Sequence, residues 1–495
     1  MVAHHYVSAF ELARAAGQDV SAITGRVRGA LREAGERAFA LNALAQAEKY
    51  FSEALALAEV GDAEYPDLLF RLGRARYLRL EEGGEELAEA RERLLARGDR
   101  ELAAEAVLML TDIAWRQGRG EDARARLDDA RALVSDLPPS RIRVAVLSEV
   151  SRYQMLADEN DAAIETGTEA LTLATELGFD NLRAHALNNV GSARAAAGDR
   201  RGLAELEESI EIASGANDIH EVLRAHNNLQ TMRAVYGDVA RAWAGAQETR
   251  RLAEHFGHHG FARFIDGGAA VGMPYALGHW DEALSNAEQF LASVEQGSPH
   301  YQTPSTYSFR GLIRLGRGDS DGAAADARRA LEVVGSFLDP QILQPTLGIS
   351  AHIFLSVGDE QGAAERVADA IEGLRSLPQL GFAAVELQYL MWVAFALGRS
   401  ADVLEIAERD PIESNWLRAL GAIAAGHLRA AAEIYDEMGA ASAAAFYHLR
   451  AAEQLAREGR RAEADEQLRP ALAFYRSVGA TRYVREGEAL LAASA

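Results

Sequence analysis

Apolar residues recur at intervals of three and four along most of the chain. In GHWDEALSNAEQFLASVE (278–295), Ala283, Leu284, Ala287, Phe290 and Leu291 mark one face, with acids and amides between them. That is the period of an amphipathic helix packed on one side. The same pattern follows a glycine in GDRRGLAELEESIEIA (198–213), GDVARAWAGAQETRRLAE (237–254) and GDEQGAAERVADAIEGL (358–374). A more apolar helical stretch precedes each glycine. The pattern therefore predicts pairs of helices joined by a Gly-Asp or Gly-Arg turn. Glycine accepts the left-handed backbone at a helix C-terminus, and the Asp after it caps the next helix.

The turns are regularly spaced. Gly118, Gly198, Gly237, Gly278, Gly318, Gly358 and Gly398 stand 39 to 41 residues apart, once Asp158 to Asp161 is taken as a turn without glycine between the first two. Two helices of about 15 residues and two turns fill one period. One such hairpin cannot bury its apolar face, so neighbours must stack. The expected fold is all-α: a right-handed superhelical solenoid of about ten to twelve helical pairs.

Prolines mark seams between units, in DLPPSR (136–141), GSPHYQTP (297–304), LDPQILQP (338–345) and SLPQLG (376–381). The pattern is looser in residues 1–97, where turns are expected at 42–45 and at Gly83-Gly84. The stretch beginning HHYVSAFELARAAG looks helical from its first residues, as if the chain began inside a larger protein. Regular repeats are expected over 98–410. Shorter repeats and a capping helix are expected over 411–495, where Gly426 and Gly459 lie 33 apart.

ALNNVG beside AHNNLQ, with the Gly-Asp turn and the small residues of the second helix, resembles tetratricopeptide repeats of the forty-residue subclass found in kinesin light chains and bacterial signalling proteins. AHHYVSAFELARAAGQD (3–19), LREAGERAFALNALAQAEKYF (31–51) and LAFYRSVGATRYVREGEALLAASA (472–495) resemble the helical C-terminal region of actinobacterial multidomain proteins. Those proteins carry a class III adenylate or guanylate cyclase domain and an ATPase domain ahead of the helical tail. The resemblance implies a signal-sensing or scaffolding tail. Both enzyme modules lie outside this sequence, so no activity is implied for these residues.

Composition narrows the partners. The chain has 495 residues, 48% hydrophobic and 25% charged, with a formal charge of −23. Such a surface repels nucleic acid and anionic lipid and suits a basic peptide or protein face. There is no cysteine, which excludes thiolate chemistry and fits a cytoplasmic location. No run is apolar and long enough for a membrane span.

Catalytic motifs are missing. The one lysine, Lys49, stands in AQAEKYF, outside any phosphate-binding loop. His255, His258 and His259 crowd one inter-repeat loop, but without the helical spacing that builds a metal site, so neither metal nor cofactor is expected. IDGGAAVGMPYALGHW (265–280) is glycine-rich without a preceding strand, which reads as a helix kinked around Pro274 and a hinge of the array rather than an anion cradle. Acid-rich runs read as solvated helix faces.

The strongest candidates are paired asparagines. Asn188 and Asn189 lie ten and nine residues before Gly198, and Asn227 and Asn228 lie ten and nine before Gly237. Equivalent positions in stacked repeats fall side by side. These amides are expected to form a short ladder on the first helices, which line the groove, and to hold a peptide backbone there. The alternative is that one amide of each pair ties neighbouring helices together. His185 and Arg224 flank the ladder. Phe309 and Tyr389 occupy the nine-before position in later repeats and extend the groove, or pack into the core. The expected function is a non-catalytic module that binds a peptide or protein, including its own upstream cyclase or ATPase domains. A small-molecule sensor is the alternative, and it requires an enclosed aromatic pocket of a few hundred Å³.

Overall fold

The computed structural model describes residues 2–41, 43–80, 82–116, 119–335, 340–381 and 383–494. Every regular element among them is an α-helix, from Val2–Ala15 to Thr481–Ser494. Helices alternate with short turns as the glycine spacing predicts. Gly118 and Asn42, both placed in expected turns, lie outside the described residues. Two compact units emerge, one of residues 1–154 with 165–182, the other of 155–164 with 183–495.

The first unit holds the hairpins Ser21–Ala40 with Leu44–Ala56 and Tyr65–Leu80 with Gly84–Arg97. Its apolar side chains gather in separate small clusters. Phe10, Val27, Leu31, Ala54 and Leu68 form one, and Ala38, Ala47, Phe51, Leu72 and Ala75 another. Arginines reach acids within a hairpin, as in Arg97–Asp67 at 2.6 Å, and on a later helix, as in Arg91–Asp129 at 3.0 Å. Exposed pairs of this kind contribute about 0–1 kcal/mol each, so burial carries this unit's stability.

In the second unit the hairpin turns follow one design. Gly198, Gly237, Gly278, Gly318 and Gly358 all have φ between 88° and 90°. The next residue bonds back across the helix end: Asp238 N to Arg233 O and Asp319 N to Arg314 O, both at 2.9 Å. The carboxylates of Asp238, Asp319 and Asp359 then accept from the backbone three residues on. One residue pair thus closes one helix and opens the next. At the turn without glycine, Asp158 takes φ 60° itself.

The glycine-rich segment breaks at a different place from the one expected. The chain bends at Gly268, between the helices His259–Gly267 and Ala269–Leu277, while Pro274 sits inside the second of these. Proline lacks the N–H that would bond the carbonyl of Ala270. Asn286 Nδ2 takes that place, donating to Ala270 O at 2.8 Å. The neighbouring glycines serve close packing. A Cβ on Gly267 would lie 2.4 Å from the Phe290 ring.

The last helices return to earlier repeats. Pro411 O lies against Gly198, and Met438 against Gly237. Trp416 Nε1 donates to Ala234 O at 2.8 Å. Ser442 Oγ accepts from Trp280 Nε1 at 2.8 Å and donates to Tyr275 O. Thr481 Oγ1 donates to Arg317 O at 2.7 Å. The C-terminal hairpins therefore run along the turns at 198, 237, 278 and 318 in order. This return joins the later and earlier repeats in one large apolar cluster that runs from Ala195 to Tyr483, while smaller ones such as Trp243, Ala246, Ile265 and Ala270 stay separate.

Candidate functional site

The asparagine pairs meet, on a diagonal. Asn228 Nδ2 donates to Asn188 Oδ1 at 2.9 Å, one residue off the match expected from distance to the turn. Asn188 and Asn189 are fully buried. Asn188 Nδ2 donates to Glu221 Oε1 at 2.7 Å. Arg224 clasps Glu221, with Nε to Oε2 at 3.0 Å and Nη2 to Oε1 at 3.0 Å, and also donates to Asn189 Oδ1 at 2.9 Å and to His185 O at 3.3 Å. Burial pushes the Glu221 carboxyl up, but the charges of Arg224 and His185 and the bonds from Arg224 and Asn188 outweigh it and hold the group below its ordinary value. Asn188, Asn189, Asn228, Arg224 and His185 thus form one cluster around a buried acid.

Helix Ile219–Val235 presents part of this cluster outward. Arg224, Asn227, Asn228 and Thr231 are half-buried, at spacings of three, four and seven, the geometry of one helix stripe. Asn227 stands beside the bonded pair, and its backbone carbonyl accepts from Thr231 Oγ1 at 2.9 Å.

Phe309 and Tyr389 lie elsewhere, on either side of Tyr275. Phe309 is buried, with its ring 5.7 Å from that of Tyr275 and packed over Gly272. Tyr389 is half-buried and forms part of an aromatic cavity with Tyr275, Trp280, His352, Trp392 and Phe446, closed by Tyr447, Tyr475 and Tyr483 from the returning helices. The cavity holds ≈ 20 Å³. That is room for one water, far below what an inducer-sized ligand fills. His352 is buried in its wall with Nδ1 unbonded among the described residues. Burial, then the charges of Arg450 and Arg482, push its imidazole down to about 3, so it stays neutral.

Sequence reasoning missed two acids. Glu221 escapes notice because a single acid in a polar helix carries no signal. Glu386 had one: it is the sole charge in AAVELQYLMWVAFA, helix Ala383–Ala396. It is half-buried one turn before Tyr389, and burial alone pushes its carboxyl up to about 8. The three histidines do not share a loop: His255 ends helix Val239–His255 and His259 begins helix His259–Gly267, both exposed, with half-buried His258 between them. No grouping among the described residues could hold a metal, and no helix among them is long and apolar enough to cross a membrane.

These hairpins define an all-α repeat protein of tetratricopeptide type. No family model and no curated protein matches the chain. Among solved structures it is similar to a Rap protein complexed with competence and sporulation factor, at TM-score 0.52 and 14% identity, over 74% of this chain and 99% of that one. It is also similar to the apo form of RapI, at TM-score 0.46 and 14% identity, over 70% and 98%. A third is a signal transduction ATPase with numerous domains and a tetratricopeptide repeat sensor, from Pyrococcus horikoshii, at TM-score 0.44 and 14% identity, over 71% and 53%. The chain spans about half the length of that last protein. The Rap complex supports the shared architecture.

Proposed function

We propose that this chain is a non-catalytic regulatory module that binds a peptide or an extended protein segment. The observation that carries the reading is the outward stripe of Arg224, Asn227, Asn228 and Thr231, held on the buried Glu221–Asn188 base. Amide and guanidinium groups fixed from beneath offer donors and acceptors to a peptide backbone at little ordering cost. The solved Rap protein of the same fold was crystallised with a competence and sporulation factor, which agrees with this reading. The terminal phrases support a place as the sensing tail of a larger cyclase–ATPase signalling protein.

Asn227→Ala tests the stripe, since this side chain leaves the Asn188–Asn228 bond intact. Decapeptides selected from an array on the wild-type chain are expected to bind it about three- to tenfold more weakly by calorimetry, the worth of one or two hydrogen bonds, with an unchanged melting point. Equal affinity would remove the stripe from binding.

A further inference from the structure

The aromatic cavity carries two polar side chains that the fold leaves unspent. His352 and Gln388 are 3% and 7% exposed, and both line it. Nδ1 of His352 bonds nothing among the described residues. The backbone carbonyl of Gln388 accepts from Tyr447 Oη at 3.2 Å, but its side-chain amide has no partner among the described residues. Ser442 Oγ, also in the wall, is already engaged by Trp280 Nε1 and Tyr275 O. A native fold seldom leaves an interior imidazole and an interior amide unpaired side by side.

These two residues hold the same repeat positions as the amide stripe. Thr231 lies six residues before Gly237, as His352 lies six before Gly358 and Trp392 six before Gly398. Asn227 and Asn228 lie ten and nine before Gly237, as Gln388 and Tyr389 do before Gly398. Equivalent positions of stacked repeats share one face of the array. Helix Ala383–Ala396 also touches helix Ile219–Val235. Tyr389, Trp392 and Phe446 are the half-buried members and form the mouth of the cavity. A segment held on the stripe therefore meets this mouth further along the same face.

Size and chemistry select the group that enters. The space of ≈ 20 Å³ takes a group the size of one water. A hydroxyl has that size, whereas a carboxylate or a guanidinium is larger. None of the lining side chains is an acid, a lysine or an arginine, so an ion would be buried without a counter-charge. A methyl group would leave both polar side chains unpaired. A hydroxyl donates and accepts at once, and so serves the imidazole nitrogen and the amide together whichever way each is turned.

We propose that His352 and Gln388 form a subsite for the side-chain hydroxyl of a serine or threonine in the bound segment. This rests on the peptide-binding reading above and adds a sequence requirement to it. The hydroxyl of either residue stands on a single carbon, so the backbone of the segment crosses the mouth at Tyr389 and Trp392.

The test uses the full chain and array-selected decapeptides in which each serine is changed to alanine and each threonine to valine in turn. One such change is expected to weaken binding about tenfold by calorimetry, the worth of two hydrogen bonds, and it identifies which residue enters. Gln388→Leu should weaken the unmodified peptide to the same level and leave the changed peptide where wild type binds it. That non-additivity is a readout a merely structural role would not give. Gln388→Leu should also keep or raise the melting point, because it removes an unpaired interior amide. His352→Phe serves as a second variant, with the same pattern of binding expected. Additive losses, or both variants binding as tightly as wild type, would overturn the subsite and leave the peptide module standing. Insensitivity to every serine and threonine would do the same, with the cavity then holding solvent only. If no decapeptide binds, the module reading fails and the subsite fails with it.

Discussion

Trp416 donates its indole N–H to the carbonyl of Ala234, 182 positions earlier, at 2.8 Å, and is 2% exposed. The acceptor lies in the last turn of helix Ile219–Val235, where Ala234 O already takes the Gly237 N–H at 2.9 Å, and the indole adds a second donor. The bond fastens the returning hairpins to the repeat turns. Trp416→Phe should lose the hydrogen bond and part of the packing, about 1–3 kcal/mol, and Trp416→Ala about 3–5 kcal/mol. Denaturant unfolding measures both. A cost below that of an exposed substitution would mean the return is not stabilising.

Glu221 is buried and pairs with half-buried Arg224, so removing the acid leaves a charge behind. Glu221→Ala should cost about 2–4 kcal/mol, since half-buried Arg224 would lose the carboxylate it is paired with. The folded carboxyl sits below its ordinary value. Its contribution is therefore complete above the ordinary glutamate range and is lost as pH falls through the lower folded value. Glu221→Gln should flatten the acid limb of the stability curve, read by urea midpoints between about pH 5 and 2.

Glu386 has the opposite sign. Its folded value of about 8 lies above the ordinary one, so the folded chain holds a proton that the unfolded chain releases. Stability is highest below the ordinary value and declines as pH rises toward 8. Glu386→Gln should be more stable than wild type at pH 8, by about 1–3 kcal/mol for a half-buried group, with the margin vanishing near pH 4. A parallel pair of stability curves would show that burial does not perturb this acid.

Two turn glycines with the same backbone should respond differently to alanine. Gly198 has φ 89° and Gly358 φ 90°. A Cβ on Gly198 would meet Pro411 O at 2.6 Å, whereas on Gly358 it meets open space. Gly358→Ala should cost about 1–2 kcal/mol for the left-handed backbone alone. Gly198→Ala should cost clearly more, because a returning backbone must move. Equal melting temperatures for the two variants would count against the return.

The hairpins were legible in the sequence because their determinants are local. Glycine, Asp and the three-four apolar spacing act within one turn of helix, and Gly237-Asp238 does what its residue types dictate. The return of 411–494 was not legible. Its contacts join residues some 160 to 180 apart, and no short window reports which surface Trp416 or Ser442 meets. The asparagines were found by spacing, but their partner Glu221 was not, since burial decides whether an acid is solvated or structural. Glu386 could have been noticed as a charge inside an apolar helix, a local conflict of the kind that functional positions tolerate.

A linear array of hairpins can gain or lose one member and close the gap, because each touches only its neighbours. The return along the turns removes that freedom here. Deleting one forty-residue period between Gly198 and Gly318 would leave Trp416, Ser442 and Thr481 facing the wrong seats by one place. Repeat number in this unit is thereby counted by its own C-terminus, and a chain of different length would need a matching change at the far end to close again.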